Sequence, residues 1–450
     1  MFQKFIDLLV IIILLISITS ATSVSQPPLV SLLWSYPMPA SDVALSDDGA
    51  LVAVASNNVT VFNTNGDVLW YWPAGDSIAV TSIDMTGDGN VVVAAYINYT
   101  DNEYREYRIA YWKNARTLTG LAEPDWISVD LGGEIGIEAL AVSNDGNHVV
   151  AVGTGPLIFY WNDALSIVGH DVYPTWYEYT YSSQLDYVSI SDDGDIVAVV
   201  GIEYPRSTAY VTVYIVYNAS HVEEYDLYSE PLECSFSGGL DLSGDGRYLV
   251  VACDRVVEYF DLSNPGEEAL QLVWESYEFF GVVSAVDMSN DGNHVVLATN
   301  VYDLSPEYVS IYHDARSLIG YGLMPDYNFS EFEFEDDVCD VAISNNGDVI
   351  AFGTEKSLYV LDGEARLLGV YHGTDKSVSQ VVKVSGNGQY VVSCGGAYDS
   401  VYFFRISSPV VGGEILRDIV AATNNLWLPL IGILFGIGIT LSIIKRRRKN

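Results

Sequence analysis

The chain has 450 residues, 49% of them hydrophobic and 12% aromatic, which marks a folded protein with a large core and excludes a disordered one. Fifty-nine acidic residues against twenty basic ones give a formal net charge of −39. Such a surface repels phosphate backbones and anionic lipid headgroups, so nucleic acid is excluded as a partner.

The first element is apolar. Leu8 to Ile18 follows an n-region containing Lys4 and precedes the small residues Ser20, Ala21, Thr22 and Ser23. Eleven apolar residues are too few to cross about 30 Å of hydrocarbon, so residues 1–25 read as a secretory signal, with an uncleaved N-terminal anchor as the alternative. The next strand, Leu29–Ser35, has no partner nearby in sequence.

From there one tetrapeptide shape, Ser/Thr-x-Asp/Asn-Gly, recurs at eight places. It begins at Ser46, Thr86, Ser143, Ser191, Ser243, Ser289, Ser344 and Ser385. Each lies between two short β-type runs, as in Gly239–Leu242 and Tyr248–Cys253. Asx side chains bond the local backbone and Gly accepts positive φ, so each is a hairpin. A third, aromatic strand follows (Val59–Phe62, Ile109–Trp112, Leu157–Trp161), then a more polar fourth (Val68–Trp72, Leu270–Glu275). Inner strands rich in Val, Ala and Ile imply burial on both faces. The pattern predicts an all-β, eight-bladed propeller over residues 29–406. The last unit stops after its third strand, so Leu29–Ser35 is expected to close the ring as its outer strand, leaving no exposed edge there.

The inner-hairpin run at 285–300, AVDMSNDGNHVVLATN, resembles those of WD-repeat and related propellers. The stretch Asn65-Gly66-Asp67-Val68-Leu69-Trp70 is similar to a pyrroloquinoline-quinone-type propeller repeat. The resemblance covers residues 29–406 and implies architecture, not an enzyme family.

Loops between second and third strands alternate around the ring. They are short in odd-numbered units and longer and Tyr-bearing in even ones. Tyr99, Tyr104, Tyr204, Tyr302, Tyr308 and Tyr398 fall there and form a candidate binding rim, since Tyr offers amphipathic area at low entropic cost. These loops belong to the face opposite the hairpins. Units two and six also share Asn114-Ala115-Arg116-Thr117-Leu118 and Asp314-Ala315-Arg316-Ser317-Leu318, which points to growth by duplication.

Two residues before the repeat Ser/Thr stand Asp84, Asp241, Asp287 and Lys383, with Ala or Ser in the other units. At an inner-strand position they can form a polar ring lining the axial channel. They would either bind a cation or small polar ligand, or tie neighbouring strands by hydrogen bonds. The six histidines have no metal-site spacing, and no metal or cofactor is expected. Sequons at Asn58, Asn98, Asn218 and Asn328 fall at expected loops or strand ends and suit a glycosylated exterior protein. Four cysteines suit an oxidising exterior: Cys234 and Cys253 flank one hairpin, Cys339 and Cys394 lie at the same end of neighbouring units, and four buried thiols are the alternative.

Residues 407–425 read as a tether and Leu426–Ile444 as a transmembrane helix about one bilayer long. The tail at 445–450 carries Lys445, Arg446, Arg447, Arg448 and Lys449, which places it in the cytoplasm and the propeller outside. No nucleophile elbow, phosphate-binding Gly loop or Cys-x-x-Cys is present. The expected function is a non-enzymatic, archaeal-type surface protein that binds a surface protein, glycan or coat component. A cofactor- or metal-dependent enzyme or sensor with its ligand in the axial channel, or an envelope-assembly scaffold, are the competing classes.

Overall fold

A computed structural model describes residues 29–407, except 74, 76, 100–104, 133–135, 154, 156, 180–183, 204–207, 219–220, 227–236, 264–270, 301–307, 330–336, 374–380 and 396–399. The signal, tether, membrane-segment and tail assignments lie outside the described residues. Among the described residues no helix is long and apolar enough to cross a membrane.

The protein is an all-β propeller whose described strands form eight sheets. Seven are blades whose first four strands, or all their strands, follow one another in the chain, with inner strands Asp42–Leu45, Ile78–Met85, Ile137–Val142, Gln184–Ile190, Ser237–Leu242, Val282–Met288 and Val338–Ile343. Seven blades are thus found where eight were expected, and the remaining sheet is composite, closed by the N-terminal strand as the last unit's missing fourth strand implies. Its strands Val381–Val384, Tyr390–Cys394 and Ser400–Ile406 come from the end of the ring, and Val30–Pro37 from its beginning. Val30 pairs with Ile406 and Pro37 with Ser400, antiparallel, through one irregularity between Leu32 and Trp34.

The eight hairpins follow their local chemistry. The Ser46 hydroxyl donates to Asp48 at 2.8 Å and accepts the Leu51 N–H at 3.0 Å. The same pair of bonds recurs in every other unit, from Thr86 with Asp88 and Val91 to Ser385 with Asn387 and Tyr390. The turn glycines have φ between +67° and +76°, the left-handed region that other residues enter at a cost. Backbone bonds then join hairpin to hairpin, as in Asp47 N–H to Gly87 O, Asp192 N–H to Gly244 O, and Asn387 N–H back to Asp47 O. Gly244 is required here for closeness, since a Cβ would lie 1.8 Å from Asn290 Oδ1.

The core is divided into wedges. Among the described residues, one apolar cluster fills each gap between neighbouring sheets. Ala53, Ala55 and Val61 meet Ala94 and Trp112 in the first gap, and Val392 and Phe403 meet Val54 and Phe62 in the last. Small Ala beside branched Val lets two twisted sheets approach face to face, which explains inner strands that read as unbroken apolar runs.

The segments shared by units two and six form short 3-10 turns, Ala115–Thr117 and Ala315–Ser317, and unit three has a third, Ala164–Ser166. Each is entered through an Asx residue in the left-handed region, Asn114, Asp163 or Asp314. The chain then crosses to the preceding blade and pairs in parallel with its outer strand, so Gly120–Leu121, Gly169–Val172 and Gly320–Leu323 cap the first, second and fifth sheets. A tryptophan of the capped blade locks each turn: Trp70, Trp126 and Trp274 donate their indole N–H to the carbonyls of Ala115, Ala164 and Ala315. Trp274→Phe removes the indole bond and leaves the Ala315 carbonyl only the Leu318 N–H at 3.3 Å, and is expected to cost about 1 kcal/mol, measured by denaturant unfolding of the purified protein.

Candidate functional site

Strand pairing places two faces on the ring. Ile78 pairs with Asn98, so inner strands begin at the end where second-to-third loops emerge, and the Asp-Gly hairpins occupy the other end. Ile406, last in the ring, pairs with Val30 at the hairpin end.

On the axis the inner strands enclose a cavity of about 650 Å³. Asp84, Asp241, Asp287 and Lys383 all line it. Two more carboxylates missed in the sequence, Asp42 and Asp340, line it as well. They stand one strand step earlier, four residues before Ser46 and Ser344, and period-two alternation puts both slots on one face. That periodicity was the available signal.

The aspartates perform a defined structural task. One oxygen accepts the N–H of its own next residue: Val43 at 2.8 Å for Asp42, Met85 at 2.8 Å for Asp84, Leu242 at 2.9 Å for Asp241, Met288 at 3.0 Å for Asp287 and Val341 at 2.9 Å for Asp340. The other oxygen accepts an N–H from the next sheet: Ile83 at 3.0 Å, Val142 at 2.9 Å, Met288 at 3.1 Å, Ile343 at 2.8 Å and Val382 at 2.9 Å. Ser189 does similar work in the fourth sheet, accepting Leu242 N–H at 3.2 Å and donating to Asp241 at 3.1 Å. An innermost strand has a free edge whose N–H groups face the channel. The carboxylates satisfy those donors and sew the seams together.

This arrangement sets the charge states. Burial raises Asp84 and Asp340 to about 6 against the pull of Lys383 and two backbone N–H groups each. Burial raises Asp42 as well. Burial raises Asp241, and burial together with the Asp241 charge drives Asp287 well above the carboxylate range. Burial opposes the charge of Lys383, but Asp340, Asp42, Asp287 and Asp84 together hold it above the lysine range. Lys383 is exposed by surface area while protein encloses it on all sides, because the surface it exposes faces the cavity.

At the loop end a β-bulge recurs in the inner strands and turns one extra residue toward the axis: Thr81, Glu138, Asp186, Gly238, Ser284 and Cys339. Thr81 and Ser284 donate to carbonyls of the next sheet, Ile137 O and Val338 O, each at 3.4 Å. Glu138 and Asp186 hold the same slot on adjacent sheets, both raised by burial, Glu138 also by the Asp186 charge.

The remaining expectations separate. Tyr99 is exposed at the end of Val91–Tyr99, with the Arg105 guanidinium 5.5 Å from its ring centre. Tyr308 begins the strand Tyr308–Tyr312, its side chain outside the description, and Tyr104, Tyr204, Tyr302 and Tyr398 lie outside the described residues. Asn328 is exposed, Asn58 accepts from the Thr60 hydroxyl, and Asn98 donates to Glu106 at 3.2 Å. Asn218 ends the strand Thr208–Asn218, its side chain outside the description. Cys253 is disulfide-bonded, and Cys234 lies outside the described residues. Neither Cys339 nor Cys394 is in a disulfide. Cys394 is packed in the apolar wedge between the eighth and first sheets, whereas Cys339 lines the cavity at its bulge. Among the described residues no group of three or more His, Cys, Asp or Glu is placed to hold a metal.

No protein-family model matches the chain, and no curated protein matches it.

Proposed function

We propose that this chain is an eight-bladed propeller tethered to the exterior of a membrane, where it binds a surface protein, glycan or coat component without transforming it. The observation that supports a binding role is the use made of the ring carboxylates. Each of the five channel aspartates spends both oxygens on backbone N–H groups, which makes it a structural tie rather than a free base or nucleophile. Eight sheets with an apolar wedge in every gap support the eight-bladed reading. The chain leaves the ring at the hairpin end, so the loop end is the proposed recognition face. Exterior placement rests on the apolar segments at the two ends and the basic tail.

Cross-linking on intact cells followed by mass spectrometry tests this reading. Adducts with exterior surface components are expected, and a set of purely cytoplasmic adducts overturns it. Replacing Tyr99, Tyr104, Tyr204, Tyr302, Tyr308 and Tyr398 together by Ser is expected to abolish recovery of that component with the protein. Undiminished recovery removes the rim from the proposal.

A further inference from the structure

The axial cavity carries opposed groups that the seams do not consume. On the eighth sheet, Lys383 projects into the enclosed space and, among the described residues, has no hydrogen bond or ion-pair partner within 4.0 Å. The flanking carboxylates act on it only through space, since the oxygens of Asp42 and Asp340 are engaged by Val43, Ser82, Ile83, Val341 and Val382. Three ammonium donors therefore face the cavity unmatched.

Across the ring, the third and fourth sheets are built differently. The inner slots hold Ala139, Ala141 and Ser189, so this wall contributes no seam aspartate of its own and is tied to its neighbours through Val142 N–H on Asp84 and the Ser189 hydroxyl on Asp241. At its mouth stand Glu138 and Asp186, like charges on adjacent blades, Asp186 also accepting from Gln184 Nε2 at 2.6 Å. Beside them Tyr187 is 37% exposed and lines the cavity. Two carboxylates next to an open aromatic face make the environment that holds an alkylated ammonium, by charge and by the ring quadrupole.

We infer that the axial cavity binds a small zwitterion, its cationic nitrogen held by Glu138, Asp186 and Tyr187 and its carboxylate by Lys383. A simple cation leaves Lys383 unmatched and repelled, and a simple anion meets the aspartate ring. Only a ligand bearing both charges answers both walls. This inference is independent of any partner on the exterior face.

Calorimetric titration of the purified full chain with glycine betaine, choline and propionate decides it. Betaine is expected to bind, with choline, which keeps the nitrogen and lacks the carboxylate, weaker by about tenfold or more and propionate silent. The Glu138→Gln/Asp186→Asn double variant is expected to lose at least about tenfold in betaine affinity while melting with the parent. Both positions lie at the cavity mouth, and Tyr187→Leu provides an uncharged second variant with the same expected loss. Absence of betaine heat up to about 10 mM, equal affinity for betaine and choline, or an unchanged Tyr187→Leu affinity overturns the inference.

Discussion

A chain lacking residues 29–37 is expected to lose the monomeric propeller and to aggregate at temperatures where the parent is stable. Those residues supply Val30–Pro37, which is hydrogen-bonded along the whole length of Ser400–Ile406. Without it Ser400–Ile406 becomes a free edge, with Val401 and Phe403 on one of its faces, and an uncovered apolar edge templates pairing with other chains. Trp34 is the central anchor of this strand, with Val30 and Tyr36 packing on either side of it in sequence. Its ring lies 5.3 Å from Phe62 and 5.2 Å from Phe403, and its indole N–H donates to Thr64 O at 3.1 Å. It thus joins the composite sheet to the first blade. Trp34→Ala is expected to cost about 2–4 kcal/mol, the lower part of the range for a core aromatic because the ring is half-buried. Leu33→Ala in the same strand, at a residue 42% exposed, is expected to stay within about 0.5 kcal/mol. Denaturant unfolding and size-exclusion chromatography read both. Equal behaviour of the truncated and parent rings would show that the sheet is closed by something else.

Lys383→Met is expected to destabilise the ring in a strongly pH-dependent way. Lys383 is the one basic side chain lining the cavity among the described residues, facing the five aspartates that tie the seams, of which Asp287 is raised furthest by burial and by the Asp241 charge. Removing it at pH 8 leaves their charges uncompensated. The expected loss is about 2–3 kcal/mol, below the usual cost of breaking a buried ion pair because the ammonium faces the cavity and is screened there. The sign follows from proton linkage. Asp84 and Asp340 have folded pKa values of about 6 against 3.8 for the free side chain. The folded ring therefore binds protons more tightly than the unfolded chain. Its stability falls as pH rises from about 4 to about 6, and falls further as Asp287, raised well above that range, gives up its proton. Lys383, raised above 10.5, contributes fully below that value and loses its contribution only as pH climbs past its folded pKa. Hairpin carboxylates Asp48, Asp88 and Asp291, each lowered by backbone N–H and hydroxyl donors and by Arg116 or Arg316 despite partial burial, work in the opposite direction and lose their contribution as pH falls below 4. The wild-type optimum is thus expected near pH 4–5. The gap between Lys383→Met and the parent should narrow there, because Asp84 and Asp340 are then neutral. Melting curves at pH 4.5 and pH 8 measure it, and an equal gap at both values would show that the lysine is not the counter-ion of the ring.

The repeat was legible because its chemistry is local. Ser46, Asp48 and Gly49 make a turn from contacts within five residues, and eight copies at blade spacing announce eight inner hairpins whatever surrounds them. The partner of the first strand was legible too, since a last unit lacking its fourth strand needs an edge covered. Lys383, Asp84, Asp241 and Asp287 could be placed on the axis because alternation in a strand has a fixed period.

What tertiary structure alone decided lies at the seams. Asp42 reaches Ile83, forty-one residues away, and Asp84 reaches Val142, fifty-eight away, so their task depends on which blade follows and not on their own neighbours. The bulges that turn Glu138 and Asp186 to the axis break the very alternation on which strand faces are read. The cap segments cross to the preceding sheet by a parallel pairing set by the Trp70, Trp126 and Trp274 locks. Cys339 and Cys394 share a level in the repeat yet enter different compartments, one facing the channel and one an apolar wedge. Local backbone chemistry is written within a few residues and survives any context. Contacts between blades exist only once the ring has closed, and that closure is a property of the whole chain.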